Sequence, residues 1–418
     1  MRKTFILITG LLCCVAAMAQ QDAFTLEGCQ QKARQNYPLI NRYGLLEQTR
    51  EYTLANAGKG YLPQFSFSAK ATYQTNVTKV PIAGAPKMHK DQYQGMVEMN
   101  QVIWDGGVIR SQKQLTHAST EVEHQQLNVD MYALEERVNN LYFGILLFDA
   151  QLQQMALLLD DLQRNYSTVC SLVDNGMANE ADTDAVSVEI LKAEQTRTGI
   201  LSMRRAYMEM LAIMIGEPIN EQTSLTKPVV DAGIVSTEVS RPELQLFRAQ
   251  YDLFEAQKKQ LTATTMPRLS FFAQGGYGRP GLNMLDSDFA FFGIGGFRLT
   301  WNISSLYTKK NEQRKLETNQ QQVWAQQETF LYNTGLQLTR ESNEIRKMRE
   351  VLKYDDRIVA LRRNVRQAAE AKMANGTLTS VELMREVDAE NRARLDKIAH
   401  DIELLLAVYT YKHTKGNE

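Results

Sequence analysis

Apolar and polar residues alternate singly from Gln64 to Gln74. Phe65, Phe67, Ala69, Ala71 and Tyr73 fall on one side of the chain, and Gln64, Ser66, Ser68, Lys70, Thr72 and Gln74 on the other. A period of two held over about ten residues predicts a strand between two different solvents. The same phase returns about 204 residues later in Leu269, Phe271, Ala273, Gly275 and Tyr277. Val97, Met99 and Ile103 mark a second strand, matched by Phe297, Leu299 and Ile303. The predicted strands cover about 64–76, 95–104, 268–278 and 290–303. Trp104, Trp301, Phe291 and Phe292 fall near their ends, where aromatic belts meet a membrane interface.

After each strand pair the period lengthens. From Leu127 through Met131, Leu134, Val138, Leu141 and Ile145 to Val169 and Val173, apolar residues follow an unbroken spacing of four and three, a coiled-coil seam. A helix from about Val108 to Asp174 would be roughly 100 Å long at about 1.5 Å per residue, too long for a compact domain. Asn175-Gly176 stops it, and a returning helix runs to about Ile215 before Gly216-Glu217-Pro218. The second copy repeats the outgoing seam with more polar substitutions in Leu331, Leu338, Ile345, Met348, Leu352 and Val359, and turns at Asn375-Gly376. Its return helix carries Val381, Met384, Leu395, Ile398, Ile402, Leu405 and Tyr409, with Asp388 and Asn391 interrupting the stripe. A shorter helical element precedes each first strand, at about Thr25 to Gly60 and about Pro242 to Thr265. The fold class is therefore an α+β membrane protein made of a duplicated unit, two amphipathic strands plus a long coiled-coil helical hairpin. The repeats span 20–235 and 236–418.

Residues 1–19 read as a signal peptide, with Arg2 and Lys3 before an apolar run from Phe5 to Val15 and an Ala17-Met18-Ala19 cleavage pattern. No later stretch is expected to approach the roughly 20 apolar residues of a membrane helix, so a mature chain that enters a membrane does so as strands. Without the signal, 45 Lys+Arg face 48 Asp+Glu, a net charge of about −3, which argues against a nucleic-acid partner. Cys29 and Cys170 could pair in an oxidising compartment, but two small buried apolar residues is the simpler reading. Four strands cannot close a membrane barrel, because an open edge in lipid leaves backbone groups without partners. Several chains must share one.

The entry segment from Thr25-Leu26-Glu27 to Asn36-Tyr37-Pro38, the junction Tyr61-Leu62-Pro63, the run Gln101-Val102-Ile103-Trp104-Asp105-Gly106-Gly107 and the two Asn-Gly turns occur in an order that resembles the TolC-like outer-membrane efflux protein family across nearly the whole mature chain. The resemblance implies a homotrimer in the cell outer membrane, with a 12-stranded barrel and a periplasmic α-helical tunnel. It implies an outer-membrane channel of a tripartite efflux or secretion system, a passive exit duct served by an inner-membrane pump and a periplasmic adaptor protein. The family's hairpin tips, here Asn175, Gly176, Asn375 and Gly376, would meet the adaptor. Its acidic constriction maps onto Asp182 and Glu382, while a third position, usually acidic, is Arg385, which could close the entrance through ion pairs between chains. Solvated charges at exposed tips are the plainer reading.

No catalytic residue, metal ligand set or cofactor is expected. The five histidines lack ligand spacing, no phosphate-binding loop is visible, and Gly275-Gly276-Tyr277-Gly278 lies inside a predicted strand. Asp149, Asp160 and Asp161 read as the wet face of the long helix. The rival functions are a periplasmic coiled-coil adaptor protein and a soluble helical-hairpin interaction protein, neither of which needs paired amphipathic strands. Drug, metal-ion and polypeptide export share this architecture, and small-molecule efflux is the expected cargo class.

Overall fold

The structure, a computed structural model, describes residues 24–77, 88–221, 223–229, 238–283 and 288–416. The predicted signal peptide, the boundary between the two repeats and parts of the loops between paired strands lie outside these residues. The chain divides into two compact units, one of Met1–Ile40, Asp130–Arg241 and Leu331–Glu418, the other of Asn41–Val129 and Pro242–Phe330. Each unit draws on both halves of the sequence.

The second of these units holds α2 (Ile40–Gly58), β1 (Gln64–Tyr73), β2 (Asp91–Trp104), α5 (Pro242–Thr264), β3 (Arg268–Arg279) and β4 (Ala290–Thr300). The strands form one antiparallel sheet in the order β1-β2-β3-β4. β2 begins four residues before the expected 95, while β1 stops at Tyr73 and β4 at Thr300, short of the expected 76 and 303. Pairing explains the first difference: Tyr73 sits opposite Asp91, so the β1 alternation draws its partner strand out to that point. The predicted helical element at about 25–60 is interrupted at Pro38, leaving α1 (Leu26–Asn36) and α2 on either side.

α3 (Val108–Asp174) starts from a rigid junction. The Asp105 carboxylate accepts the backbone N–H of Gly107 at 2.9 Å and of Ile109 at 2.6 Å, and Tyr61 donates to it at 3.3 Å. Gly106, at φ 69°, could carry no side chain, because a Cβ would lie 2.5 Å from Met266 Cβ. This explains why strand passes to helix at Asp-Gly-Gly. On the second copy, Trp301 Nε1 donates to the Thr265 carbonyl at 3.1 Å.

The other unit packs α1, α4 (Glu180–Ile215) and α7 (Ser380–Lys415) with the later parts of α3 and of α6 (Ser305–Ala374). One core cluster joins Leu26 and Cys29 of α1 to Val138, Tyr142, Phe143 and Ile145 of α3, Leu211 of α4 and Leu405 of α7. The Tyr142 hydroxyl shares its proton between the carbonyls of Phe24 at 2.7 Å and Thr226 at 2.6 Å, and burial pushes its pKa up. A second cluster joins Met155, Leu162 and Val169 of α3 to Val186 of α4, Met373 of α6 and Leu383 and Val387 of α7. Fully burying each such side chain stabilises by about 1.5–3 kcal/mol.

One expectation changes here. α3 is long and apolar enough to cross a membrane by length and composition, contrary to the expectation that no such stretch follows the signal. Its apolar character has another cause: Tyr142, Phe143 and Leu146 add a buried flank to the seam and lie within the core. Cys29 and Cys170 are both free, and burial pushes the Cys29 thiol up to about 11, which keeps it protonated and unreactive.

Candidate functional site

One face of the sheet is an exposed apolar surface. Register places Phe67, Val97, Gly275 and Gly293 in one row and Phe65, Met99, Ala273 and Gly295 in the next. Because alternate residues point to one face, Tyr73, Tyr93, Tyr277, Phe291, Phe297 and Leu299 join them. Phe291 is 86% exposed and Phe67 74%. A contiguous patch of this size is more than a soluble protein leaves in water. Within the described residues, β1 and β4 are the sheet's two edges.

The two hairpin turns share one geometry. Gly176 stands at φ 71° and Gly376 at φ 68°. In the first turn the Gly176 N–H reaches the Val173 carbonyl at 2.9 Å and the Met177 N–H reaches Leu172 at 2.8 Å. In the second, Gly376 reaches Met373 at 2.9 Å and Thr377 reaches Lys372 at 3.0 Å. This paired closure satisfies the last carbonyls of each outgoing helix and requires a left-handed residue. No neighbour would meet a Cβ on either glycine, so backbone conformation alone selects it.

Asp182 and Glu382 occupy equivalent places as the third residues of α4 and α7. Asp182 accepts the backbone N–H of Asn179 at 3.2 Å, while the Asn179 side chain accepts the Asp182 N–H at 3.2 Å. Glu382 accepts from Thr379 N–H at 3.0 Å, and the Thr379 hydroxyl accepts from Glu382 N–H at 3.3 Å. Both acids therefore close capping boxes. That accounts for their position six residues beyond the glycine within a single chain, and the pattern Asn-x-x-Asp and Thr-x-x-Glu was legible in the sequence. The Ser380 hydroxyl donates to Asp182 Oδ1 at 2.6 Å and joins the two tips. This bond, then the Asn179 amide, holds the Asp182 carboxyl below its ordinary value; for Glu382 the Thr379 amide, then its hydroxyl, acts in the same direction, and the exposed Arg385 adds a favourable charge. A cleft of about 560 Å³ between the tips is lined by Leu172, Met177, Met373 and Leu378 as well as Asp182 and Ser380.

Sequence reading missed a charged network farther along the second hairpin. Glu390, 2% exposed, faces Arg366 at 2.8 Å and pairs with Arg394. Arg366 also reaches Asp161 of α3 at 2.7 Å, so Asp161 is more than a wet-face charge. Beside it, the buried Gln154 donates to Asn391 at 3.0 Å. The signal was present: Leu383, Val387 and Glu390 keep a spacing of four and three, which places a carboxylate at a core position of α7. Among the described residues no group of His, Cys, Asp and Glu could hold a metal ion.

Residues 30–215 match the family model described as outer membrane efflux protein. No curated protein sequence matches the chain. Among solved structures, the outer membrane protein VceC from Vibrio cholerae superposes with a TM-score of 0.69 at 13% identity, covering 94% of this chain and 96% of that one. The outer-membrane channel OprN gives 0.68 at 15% identity over 94% and 90% of the two chains. The Neisseria gonorrhoeae MtrE outer membrane channel, in its open state, gives 0.68 at 13% over 95% and 91%. Over residues 30–215 the chain matches the outer membrane efflux protein family, and with its paired amphipathic strands and long helical hairpins it has the fold of these outer-membrane channels.

Proposed function

We propose that three copies of the chain close one 12-stranded barrel in the outer membrane, with their helical hairpins forming a periplasmic tunnel. The assembly acts as a passive exit duct for small molecules delivered by an inner-membrane pump through a periplasmic adaptor. The observation that carries this reading is the sheet itself: four strands, two open edges and one continuous exposed apolar face. In lipid such edges must be paired, and further copies of the same chain supply the missing strands. An exposed stripe on α6, formed by Tyr354, Ile358, Leu361 and Val365 at helical spacing, offers a second surface for a neighbouring copy. The test is the mass of the detergent-purified protein together with its conductance in a planar bilayer. A three-chain particle that conducts supports the reading, and a lone water-soluble subunit overturns it.

In this assembly the tips at Asn175, Gly176, Asn375 and Gly376 meet the adaptor, and Asp182, Glu382 and Arg385 ring the entrance. Their capping bonds keep both acids ionised at neutral pH. Glu382→Ala combined with Arg385→Ala should raise single-channel conductance. An unchanged value would make these residues solvated tip charges.

A further inference from the structure

The opposite face of the sheet is polar on one side and aromatic on the other. Along β1 it presents Ser66, Ser68 and Lys70, whereas β3 and β4 place Phe272, Phe292 and Ile294 there, with Met96 of β2 alongside. Phe272 pairs with Gly296 and Phe292 with Gly276. A Cβ on Gly276 would lie 2.5 Å from Phe292 Cζ, and one on Gly296 3.3 Å from Phe272 Cε1. Each ring therefore lies down across the glycine of the adjacent strand instead of standing away from the sheet. Ile294, in the row between them, is 41% exposed. The Arg298 guanidinium lies 4.6 Å from the Phe272 ring centroid. Charge on this face is unbalanced: Lys70, Arg268 and Arg298 stand against Glu98, which is 3.4 Å from Arg298.

A wall that faces water gains no stability by exposing isoleucine and phenylalanine, so an apolar strip beside a cationic group marks a recognition surface. We propose that this strip is a binding site for amphipathic organic anions, with a flat ring system resting on Phe272, Phe292 and Ile294 and its carboxylate or sulfonate on Arg298. The inference rests on the channel reading, which turns this face to the lumen. Bound there, such a solute occupies the passage and reduces ionic current.

The probe is anilinonaphthalene sulfonate added to the purified oligomer in a planar bilayer, with methanesulfonate as a ringless anion. Anilinonaphthalene sulfonate should block reversibly at a concentration at least about tenfold lower than methanesulfonate, the factor that burying one ring face provides. Ile294→Ser and Arg298→Gln each leave the ring-over-glycine pairs in place, and each should raise the half-blocking concentration about fivefold relative to wild type. Ser66→Ala should leave it unchanged. Equal block by the two anions, equal block of wild type and both variants, or a conducting oligomer indifferent to the probe would each overturn the site and leave the channel reading intact. Failure to form any conducting oligomer would remove both.

Discussion

The two helical hairpins turn alike and pack differently. At positions 200 residues apart, Leu162 and Val186 of the first hairpin lie in the hydrophobic core, while Arg362 and Glu386 of the second form an ion pair at 3.6 Å. Ile190 packs against the same core, and its counterpart is the buried Glu390. Met155 is core, and its counterpart Asp355 meets His400 at 2.8 Å. The exchange also runs in reverse, since Asp161 is charged where Leu361 is exposed and apolar. One duplicated unit thus kept the turn, whose geometry is local, and divided the long faces between two tasks. The first hairpin supplies most of the apolar core, to which Met373, Leu383, Val387 and Leu405 of the second also belong. The second substitutes charge pairing inside and leaves an apolar stripe outside, the distribution expected of a helix that meets other copies.

That contrast can be broken at its most expensive point. Glu390→Ala removes the buried carboxylate shared by Arg366 and Arg394, leaving Arg366 with Asp161 and Glu370, and should cost about 3 kcal/mol of hairpin stability, measured by denaturant unfolding followed through helical circular dichroism. Ile190→Ala, a partly buried truncation, should cost about 1–2 kcal/mol in the same assay. If the two effects are equal, the buried charge has no special weight.

Leu162→Ala should cost about 3 kcal/mol through the cavity it leaves, whereas Arg362→Ala removes one half-exposed, long ion pair and should cost under about 1 kcal/mol. Similar losses would mean that the two hairpins bear load in the same way.

The turns should respond identically. Gly176→Ala and Gly376→Ala each force a Cβ into the left-handed region without any clash and should each cost about 1 kcal/mol. Unequal losses would show that one tip is constrained by more than its backbone.

The smallest effect is a pH dependence at the caps. Since the folded-state pKa of Asp182 is depressed below its ordinary 3.8, its contribution is complete above that value and disappears as pH falls through the lower folded value. The stability difference between wild type and Asp182→Asn should therefore vanish in strong acid. Ser380→Ala should narrow the window by removing the largest cause of the shift.

The sequence by itself determined the elements and their repetition, because strand alternation, heptad spacing and turn glycines are local rules that neighbouring residues obey alone. It also held the capping boxes and the carboxylate at a core position of α7, although these become legible only once the helix phase is known. Tertiary structure decided the rest. Pairing with β1 lengthened β2, packing against α1 and α4 turned the most apolar stretch of α3 into core, and folding brought Asp161 and Glu390, distant in the chain, onto one arginine. The sheet register likewise set aromatic rings over glycines on adjacent strands. Contacts between distant residues depend on how faces are rotated and aligned in space, and no single stretch of sequence encodes that alignment.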